Sequence, residues 1–208
     1  MLKVERHVVG ALETNCYVLE DSDTGSLALI DPGDASSEDI EKILSDRAER
    51  FLYILLTHGH FDHIMAAHRY RLKTNAKIVI SREEKDFTSN NALNLSTVVA
   101  TGMQAFEADI FTADGESLDL GNTKITTLST PGHTRGSVCF LAENLIFSGD
   151  TLLKGSIGRT DLITGDFEKI KASLKRLCEL SGDYIVYPGH GVPTTLDFER
   201  RNNSFLVN

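Results

Sequence analysis

The sequence predicts an α+β or α/β fold in which mixed β-sheets pack against each other and helices cover their outer faces. Nine short apolar segments recur along the 208 residues with the alternation or continuous hydrophobicity of strands, and amphipathic helical patterns lie between them. A hydrophobic content of 41% and a charged content of 25% are ordinary for a protein with a sizeable core. Since the length fits one domain and no internal repeat or long linker is visible, we predict a single domain over residues 1–208.

The predicted strands are short and several end in turn signals. They span residues 2–9, 15–20, 26–31, 51–56, 77–80, 123–129, 137–141, 144–149 and 184–187. The stretches DSDTG, ADGES and AEN have the composition of hairpin-type turns. Periodicity alone does not order these strands within sheets.

Four helices are predicted between or after the strands. The first, 36–48, opens with a serine N-cap and acidic residues in its first turn. A second, 63–73, follows a histidine-rich stretch, a third spans 166–180 from Asp166, and a final one lies near 195–203. These helices are expected to cover the sheets.

The composition excludes several classes of partner. A net charge of −9 argues against nucleic acid, whose binding proteins usually carry a basic face. The longest apolar run, 51–56, is too short to span a bilayer, and charges interrupt the N-terminal segment where a signal peptide would be apolar. Three cysteines without CxxC spacing do not indicate a disulfide framework. We therefore expect a reduced, cytoplasmic protein that is a monomer or a homodimer.

The stretch HGHFDH, residues 58–63, contains three of the seven histidines of the chain. His58, His60 and Asp62 are two positions apart, which is incompatible with one face of a helix, so we expect them on an extended stretch that leaves the strand 51–56. His63 would begin the next helix and point in another direction. Such a loop could serve two neighbouring metal ions.

Further candidate ligands follow later strands, each next to a glycine. His133 lies in TPGHT, Asp150 in IFSGDT and His190 in YPGHG. Glycine permits close backbone approach, and loops at strand ends are where sites are usually built. The seven candidates divide into two sets: one ion would take His58, His60 and His133, a second would take Asp62, His63 and His190, and Asp150 would bridge both.

This donor set indicates two divalent ions, with Zn²⁺ as the first expectation and Fe or Mn²⁺ as alternatives. Nitrogen and oxygen donors without thiolate suit all three metals. Two ions a few ångströms apart can lower the pKa of a bridging water to near neutrality and polarise a carbonyl group. Asp62 and Asp150 are therefore predicted to be catalytic residues as well as ligands.

The chain resembles the metallo-β-lactamase-fold superfamily, whose signature is the HxHxDH run with later histidine, aspartate and histidine positions in this order. The resemblance covers residues 2 to 205 and implies a four-layer αββα sandwich with the metal site at one edge. It also implies that Asp31, in ALIDPG, is a carboxylate that orients a metal-bound histidine.

Within that superfamily, SGDTLLKGSIGRTDL and YPGHGVPTTLDFERRNNSFL are most similar to small glyoxalase II-like hydrolases. This resemblance implies hydrolysis of a small-molecule thioester, such as S-D-lactoylglutathione, by a metal-bound hydroxide. We expect no C-terminal helical domain of the glyoxalase II kind. Arg159 matches a basic residue that binds the glutathione moiety, whereas Asp161 and Val192 stand where glutathione-contacting tyrosines are expected. Arg159, Lys154 and Phe61 are the predicted substrate-binding residues.

One alternative is a persulfide dioxygenase on the same fold. GRTD, residues 158–161, and ERRNNSF, residues 199–205, resemble that family. Its members typically bind a single iron through two histidines and an aspartate, here His58, His133 and Asp150. The ligand positions do not discriminate between the two activities, while YPGHG and PTT favour the hydrolase.

Overall fold

The computed structural model describes residues 1–98 and 103–206, and these form two β-sheets with helices on the outside. The strands are β1 (Leu2–Val9), β2 (Thr14–Asp21), β3 (Leu27–Ile30), β4 (Phe51–Leu55), β5 (Lys77–Ser81), β6 (Ile110–Thr112), β7 (Ser117–Leu120), β8 (Thr123–Ser129), β9 (Val138–Ala142), β10 (Leu145–Gly149), β11 (Leu152–Leu153), β12 (Ser156–Ile157), β13 (Ile185–Pro188) and β14 (Thr194–Thr195). The helices are α1 (Glu38–Arg47), α2 (Phe61–Ile64), α3 (Ala67–Thr74), α4 (Phe167–Cys178) and α5 (Leu196–Asn202), and 3₁₀ turns span Ala48–Arg50, Arg82–Glu84 and Ser96–Val98.

Each main sheet has six strands and mixed pairing. The first has the order β1-β2-β3-β4-β5-β6, with antiparallel pairing up to β3 and parallel pairing from β3 to β6. The second has the order β14-β13-β10-β9-β8-β7, in which only β10 and β13 are parallel. A two-stranded ribbon, β11 with β12, follows β10. The predicted mixed sheets flanked by helices are confirmed.

Three apolar clusters correspond to the three spaces between four layers. The central cluster joins the two sheets, with Tyr17 and Ile30 of the first sheet facing Phe140 and Phe147 of the second. A second cluster lies between the first sheet and α1 and α3, and a third between the second sheet and α4 and α5. Burial of each large apolar side chain contributes about 1.5–3 kcal/mol, so these clusters fix the scaffold that the loops depend on.

The helix predicted at 63–73 is wrong in its bounds and its continuity. Helix α2 begins at Phe61, and α3 is a separate helix that begins at Ala67. The interruption has a local cause, because the amide of Ala66 donates to the carbonyl of Pro32 at 2.9 Å instead of to a carbonyl of its own helix. Asp62 lies in the helical turn α2, whereas His58 and His60 lie in the loop between β4 and α2, so the expectation of one extended stretch for all three is wrong for Asp62.

The sequence patterns missed five short strands, β6, β7, β11, β12 and β14. The turn expected at 113–117 exists, but it connects β6 to β7, which belong to different sheets. Four of these strands have only two or three residues, too few to show a period of two, and β7 begins at Ser117, inside the expected turn. Within the described residues, none of the helices has both the length and the hydrophobicity needed to cross a membrane.

Candidate metal centre

Four loops bring the seven predicted ligands together at one edge of the two sheets. His58 and His60 follow β4, His133 follows β8, Asp150 follows β10 and His190 follows β13. Asp62 and His63 lie in α2, directly after the first of these loops. Potential ligand atoms lie within 4.8 Å of one another in each of three groups: His58 with His60 and His133; His58 with His63 and Asp150; and Asp62 with His63 and His190.

We refer to His58, His60 and His133 as the three-histidine group and to Asp62, His63 and His190 as the Asp62 group. These are the two sets that the sequence predicts. The carboxylate of Asp150 lies between them, with Oδ2 at 3.6 Å from the Nε2 atoms of both His133 and His190 and Oδ1 at 3.7 Å from that of His63. The Asp150 carboxylate is therefore close enough to both groups to bridge them.

Two of the histidines are held by backbone carbonyl groups outside the cluster. Nδ1 of His133 lies 2.8 Å from the carbonyl oxygen of Arg159, and Nδ1 of His190 lies 3.1 Å from that of Leu12. A carbonyl group only accepts, so Nδ1 carries the proton in both rings. Nε2 is then left with a lone pair that faces the cluster.

Asp31 and Thr57 fix two more rings in the same sense. Oδ2 of Asp31 lies 2.9 Å from Nδ1 of His63 and accepts from the hydroxyl of Thr57 at 2.7 Å. Because that hydroxyl donates to Asp31, it accepts from Nδ1 of His58 at 3.1 Å. Metal-bound histidines are usually oriented by such outer partners. Asp31 thus contacts one candidate ligand, His63, and its orienting role at a metal-bound histidine stays a prediction.

Several buried polar atoms of the cluster have no hydrogen-bond partner among the described residues. They are Nε2 of His58, Nε2 of His60 and Oδ1 of Asp150. Nδ1 of His60 and Nε2 of His133 also face each other at 2.9 Å. Buried polar groups are nearly always satisfied in proteins. Cations among these donors would satisfy them, so the residues present fit divalent metal ions.

The two groups differ in electrostatic character. Burial lowers the pKa of His58 and His133, and burial together with the neighbouring histidines lowers that of His60 to about 3. Burial also acts to lower the pKa of His63, but the charges of Asp62 and Asp150, with Asp31, outweigh it and raise this pKa to about 10. The three-histidine group is therefore neutral near pH 7, as ligation requires.

Gly189 shows why a glycine precedes a candidate ligand. A Cβ atom at this position would lie 2.2 Å from Oδ1 of Asp150 and 2.7 Å from Cε1 of His63. Any side chain would therefore displace the Asp150 carboxylate. The expectation that glycine permits close backbone approach beside a ligand is confirmed here.

A cavity of about 510 Å³, the metal lobe, opens over the cluster. Its lining residues are Leu12, His60, Phe61, Asp62, Leu95, His133, Asp150, Leu153, Ile157, Gly158, Arg159, Leu162 and His190. The predicted substrate-binding residues Phe61 and Arg159 are among them. Lys154 does not line this lobe; its ammonium group instead lies over the ring of Phe198, 5.7 Å from the ring centre. The structure thus does not bring Lys154 to the site.

The guanidinium group of Arg159 is already paired on the rim of this lobe. Its Nε and one terminal nitrogen donate to the two carboxylate oxygens of Asp161 at 2.8 and 2.7 Å, and both side chains are exposed. Asp161 lowers the charge available to an anionic substrate. The sequence placed Asp161 at a tyrosine position but gave no sign of this pair.

A second lobe of about 480 Å³ shares Leu12, Phe61 and Asp62 with the metal lobe. Its other lining residues are Val9, Gly10, Ala11, Thr14, Gly33, Asp34 and Met65. Thr14 donates a hydrogen bond to Oδ2 of Asp62 at 3.1 Å, so the β1–β2 hairpin contacts both the lobe and a candidate ligand. No sequence motif marks these residues, because the lobe exists only where the hairpin meets α2.

Comparisons with known proteins agree with this arrangement. A family model described as the metallo-beta-lactamase superfamily matches residues 9–190. The probable metallo-hydrolase YqgX of Bacillus subtilis is 36% identical over 210 residues, which cover 99% of this chain and 98% of that protein. The hydroxyacylglutathione hydrolase GloC of Haemophilus influenzae is 34% identical over 210 residues, with the same two coverages.

Solved structures show the same fold along the whole chain. The B3 metallo-beta-lactamase BLEG-1 superposes with a TM-score of 0.90 and 35% identity, covering 100% of both chains. TTHA1623 in a di-iron-bound form has a TM-score of 0.84 and 32% identity, covering 98% of this chain and 100% of that one. ETHE1 from Myxococcus xanthus has a TM-score of 0.77 and 28% identity over 97% and 83%. The span that the family model matches contains all seven side chains of the cluster.

Proposed function

Because the chain belongs to the metallo-β-lactamase superfamily, we propose that it is a dinuclear metal-dependent hydrolase that cleaves acyl thioesters. The observation that carries the proposal is the pairing of two ligand groups through Asp150. The three-histidine group and the Asp62 group each offer converging ligand atoms, and the Asp150 carboxylate faces both. We propose Zn²⁺ as the first metal to test, with iron as the alternative, since TTHA1623 is described in a di-iron form.

Divalent ions held by these residues would supply a nucleophile near neutral pH and polarise a substrate carbonyl group. The residues of the chain then determine which bond is cleaved. Asp62 accepts from Thr14 and lies 3.4 Å from Nε2 of His190 and 3.6 Å from that of His63. Its carboxylate is thereby fixed with Oδ2 toward the cluster, where it can orient a water molecule in the metal lobe.

The charge state of Asp62 suits the handling of a water molecule. Burial acts to raise its pKa, but His63 and His190 hold it below the usual range, so Asp62 is ionised and can accept a proton. A thiol, with a pKa of about 8.5, leaves readily as the thiolate, so a thioester needs no protonated acid at this site.

The two lobes suggest how the substrate lies. We place the thiol half in the metal lobe, whose lining includes Arg159, and the acyl half toward the second lobe, whose lining includes no lysine or arginine. The name of GloC, hydroxyacylglutathione hydrolase, matches an anionic thiol half, glutathione, joined to a hydroxyacyl half. Because Asp161 already pairs with Arg159, this arginine does not by itself identify the thiol, and the test below uses a glutathione thioester for that purpose.

The test measures metal content and activity on the same preparation. Protein loaded separately with Zn²⁺ and with iron is assayed for metal per chain, for hydrolysis of S-D-lactoylglutathione, for hydrolysis of a β-lactam, and for oxygen uptake with glutathione persulfide. We expect two ions per chain, thioester hydrolysis and no oxygen uptake. One ion per chain together with oxygen uptake would identify a persulfide dioxygenase and refute the proposal. Hydrolysis of the β-lactam without hydrolysis of the thioester would show that the substrate is an amide and not a thioester.

A further inference from the structure

Glu84 is a fully buried carboxylate that joins two of the ligand-bearing loops. It ends the 3₁₀ turn Arg82–Glu84 that follows β5, and its side chain is inaccessible to solvent. Oε2 accepts from the amide of Gly59 at 2.8 Å, and Oε1 accepts from the amide of Gly136 at 2.9 Å. Gly59 stands between His58 and His60, and Gly136 lies three residues after His133. One carboxylate thus connects the backbone segments that carry all three members of the three-histidine group.

The two segments belong to different sheets, so sheet hydrogen bonding does not fix their separation. The first follows β4 in one sheet, and the second follows β8 in the other. A backbone bond from the amide of Val138 to the carbonyl of Thr57, at 2.9 Å, joins them at the base of the loops. Glu84 joins them nearer to the histidines. Two points of attachment define the separation of the segments where one would allow rotation.

The packing around Glu84 leaves its carboxylate little freedom. A Cβ atom at Gly136 would lie 2.6 Å from Cγ of Glu84, so the side chain of Glu84 packs directly against the backbone of Gly136. Arg135 donates to the carbonyl of Glu83 at 2.9 Å and lies over the ring of Phe87, which holds the same turn against the His133 loop from outside. Glu84 is not among the residues that line either lobe, so it does not touch substrate.

We propose that Glu84 is a positioning residue that sets the metal affinity of the three-histidine group and leaves that of the Asp62 group nearly unchanged. This inference rests on the proposed dinuclear centre. Its physical basis is that a pre-set separation of the loops removes the need to order them when an ion binds. Partners outside the ligand shell typically account for about ten- to a hundred-fold in metal affinity.

The Glu84→Gln variant isolates this effect because it keeps the size of the side chain. Both carboxylate oxygens accept from a backbone amide, whereas glutamine has one acceptor oxygen and an NH₂ group that can only donate. One of the two amides, Gly59 or Gly136, must therefore face a donor. The variant loses one of the two amide attachments without opening a cavity.

The experiment separates the two groups with ligand variants of the full chain. His190→Gln removes a ligand that belongs only to the Asp62 group, and His60→Gln removes one that belongs only to the three-histidine group. Zn²⁺ affinity is measured at pH 8 against a competing chelator, with and without Glu84→Gln in each background. We expect a loss of about ten- to a hundred-fold in the His190→Gln background and less than about three-fold in the His60→Gln background.

Two further variants keep the outcome interpretable. Glu84→Asp retains the charge with a shorter reach and should give an intermediate loss in the His190→Gln background. Asp21→Asn is the matched control, because Asp21 is also buried and accepts from the amides of Asp23 and Thr24 and the hydroxyl of Thr123, away from the cluster. It should lower thermal stability and leave Zn²⁺ affinity at the wild-type value.

The inference is overturned if Glu84→Gln leaves affinity unchanged in the His190→Gln background, or if it lowers affinity equally in both backgrounds, which would indicate a general loss of structure. These results differ from a failure of the proposed function. If the wild type and both ligand variants fail to bind Zn²⁺, the proposed dinuclear centre is wrong, and the role assigned to Glu84 is wrong with it.

Discussion

Replacement of Asp31 by asparagine should weaken metal binding by the Asp62 group through His63. Asp31 has a φ of 51°, in the left-handed region that aspartate and asparagine tolerate better than other residues with a side chain. The Asp31→Asn variant would therefore keep the backbone of the β3–α1 loop, and the substitution removes the charge and replaces one acceptor oxygen by an NH₂ group. Asp31→Ala would add backbone strain and is the less informative variant.

The magnitude follows from the contacts of the carboxylate. Asp31 receives three donors, the amide of Thr57 at 2.8 Å, its hydroxyl at 2.7 Å and Nδ1 of His63 at 2.9 Å. The side chains of Asp31 and His63 are both buried, so water does not screen them. An asparagine that turns its NH₂ group toward His63 forces the proton of that ring onto Nε2, the atom that faces the cluster. The lost charge-assisted bond is worth about 1.5–3 kcal/mol, roughly a ten- to hundred-fold weaker second ion.

The assay is a competition titration of metal-free Asp31→Asn with Zn²⁺ and a chelator at pH 8. The control is Asp34→Asn, an equal change of charge in the same loop at a carboxylate that accepts from the amide of Ser36 and contacts no histidine of the cluster. We expect two ions to bind to the control with wild-type affinities. Wild-type affinities in Asp31→Asn, with an unchanged unfolding midpoint, would refute the view that this carboxylate orients His63.

Three further outcomes are expected. Asp150→Ala should abolish hydrolysis and weaken binding of both ions, because its carboxylate faces both groups; wild-type metal content in this variant would contradict the bridging role. Asp161→Asn should raise kcat/KM for glutathione thioesters several-fold, because it releases Arg159, and Arg159→Ala should lower the same ratio about ten-fold. Metal content should not change in Arg159→Ala, since His133 is held by the backbone carbonyl of Arg159. Equal changes in kcat/KM for a small neutral thioester would argue against binding of an anionic tail by Arg159. Burial and the neighbouring histidines lower the pKa of His60 to about 3, so below pH 6.5 the unfolded metal-free chain binds a proton at His60 that the folded chain does not. The free energy of unfolding of the metal-free protein should therefore fall from pH 6.5 toward pH 3, and it should fall less steeply in His60→Gln. The same pH dependence of the free energy of unfolding in both proteins would contradict this.

The sequence by itself determined the features that are encoded locally. The nine longer apolar segments all correspond to strands because alternation or continuous hydrophobicity is visible within one segment. Helix α4 begins directly after Asp166, where the predicted helix starts, and the structure shows that the side chain of Asp166 accepts from the amides of Glu168 and Lys169. The candidate ligands could be chosen because their residue types, the two-residue spacing in HGHFDH and the adjacent glycines are all local signals.

Only the tertiary structure decided how distant segments meet. Nδ1 of His60 lies against His133 across 73 positions, and Glu84 joins loops 25 and 52 positions away from it. The pair of Arg159 and Asp161 is close in sequence, but a spacing of two also fits side chains that point apart. The second lobe forms where the β1–β2 hairpin lies against α2. A local pattern records which residues a segment contains and which face they occupy, whereas the distance between two loops depends on how the sheets pack.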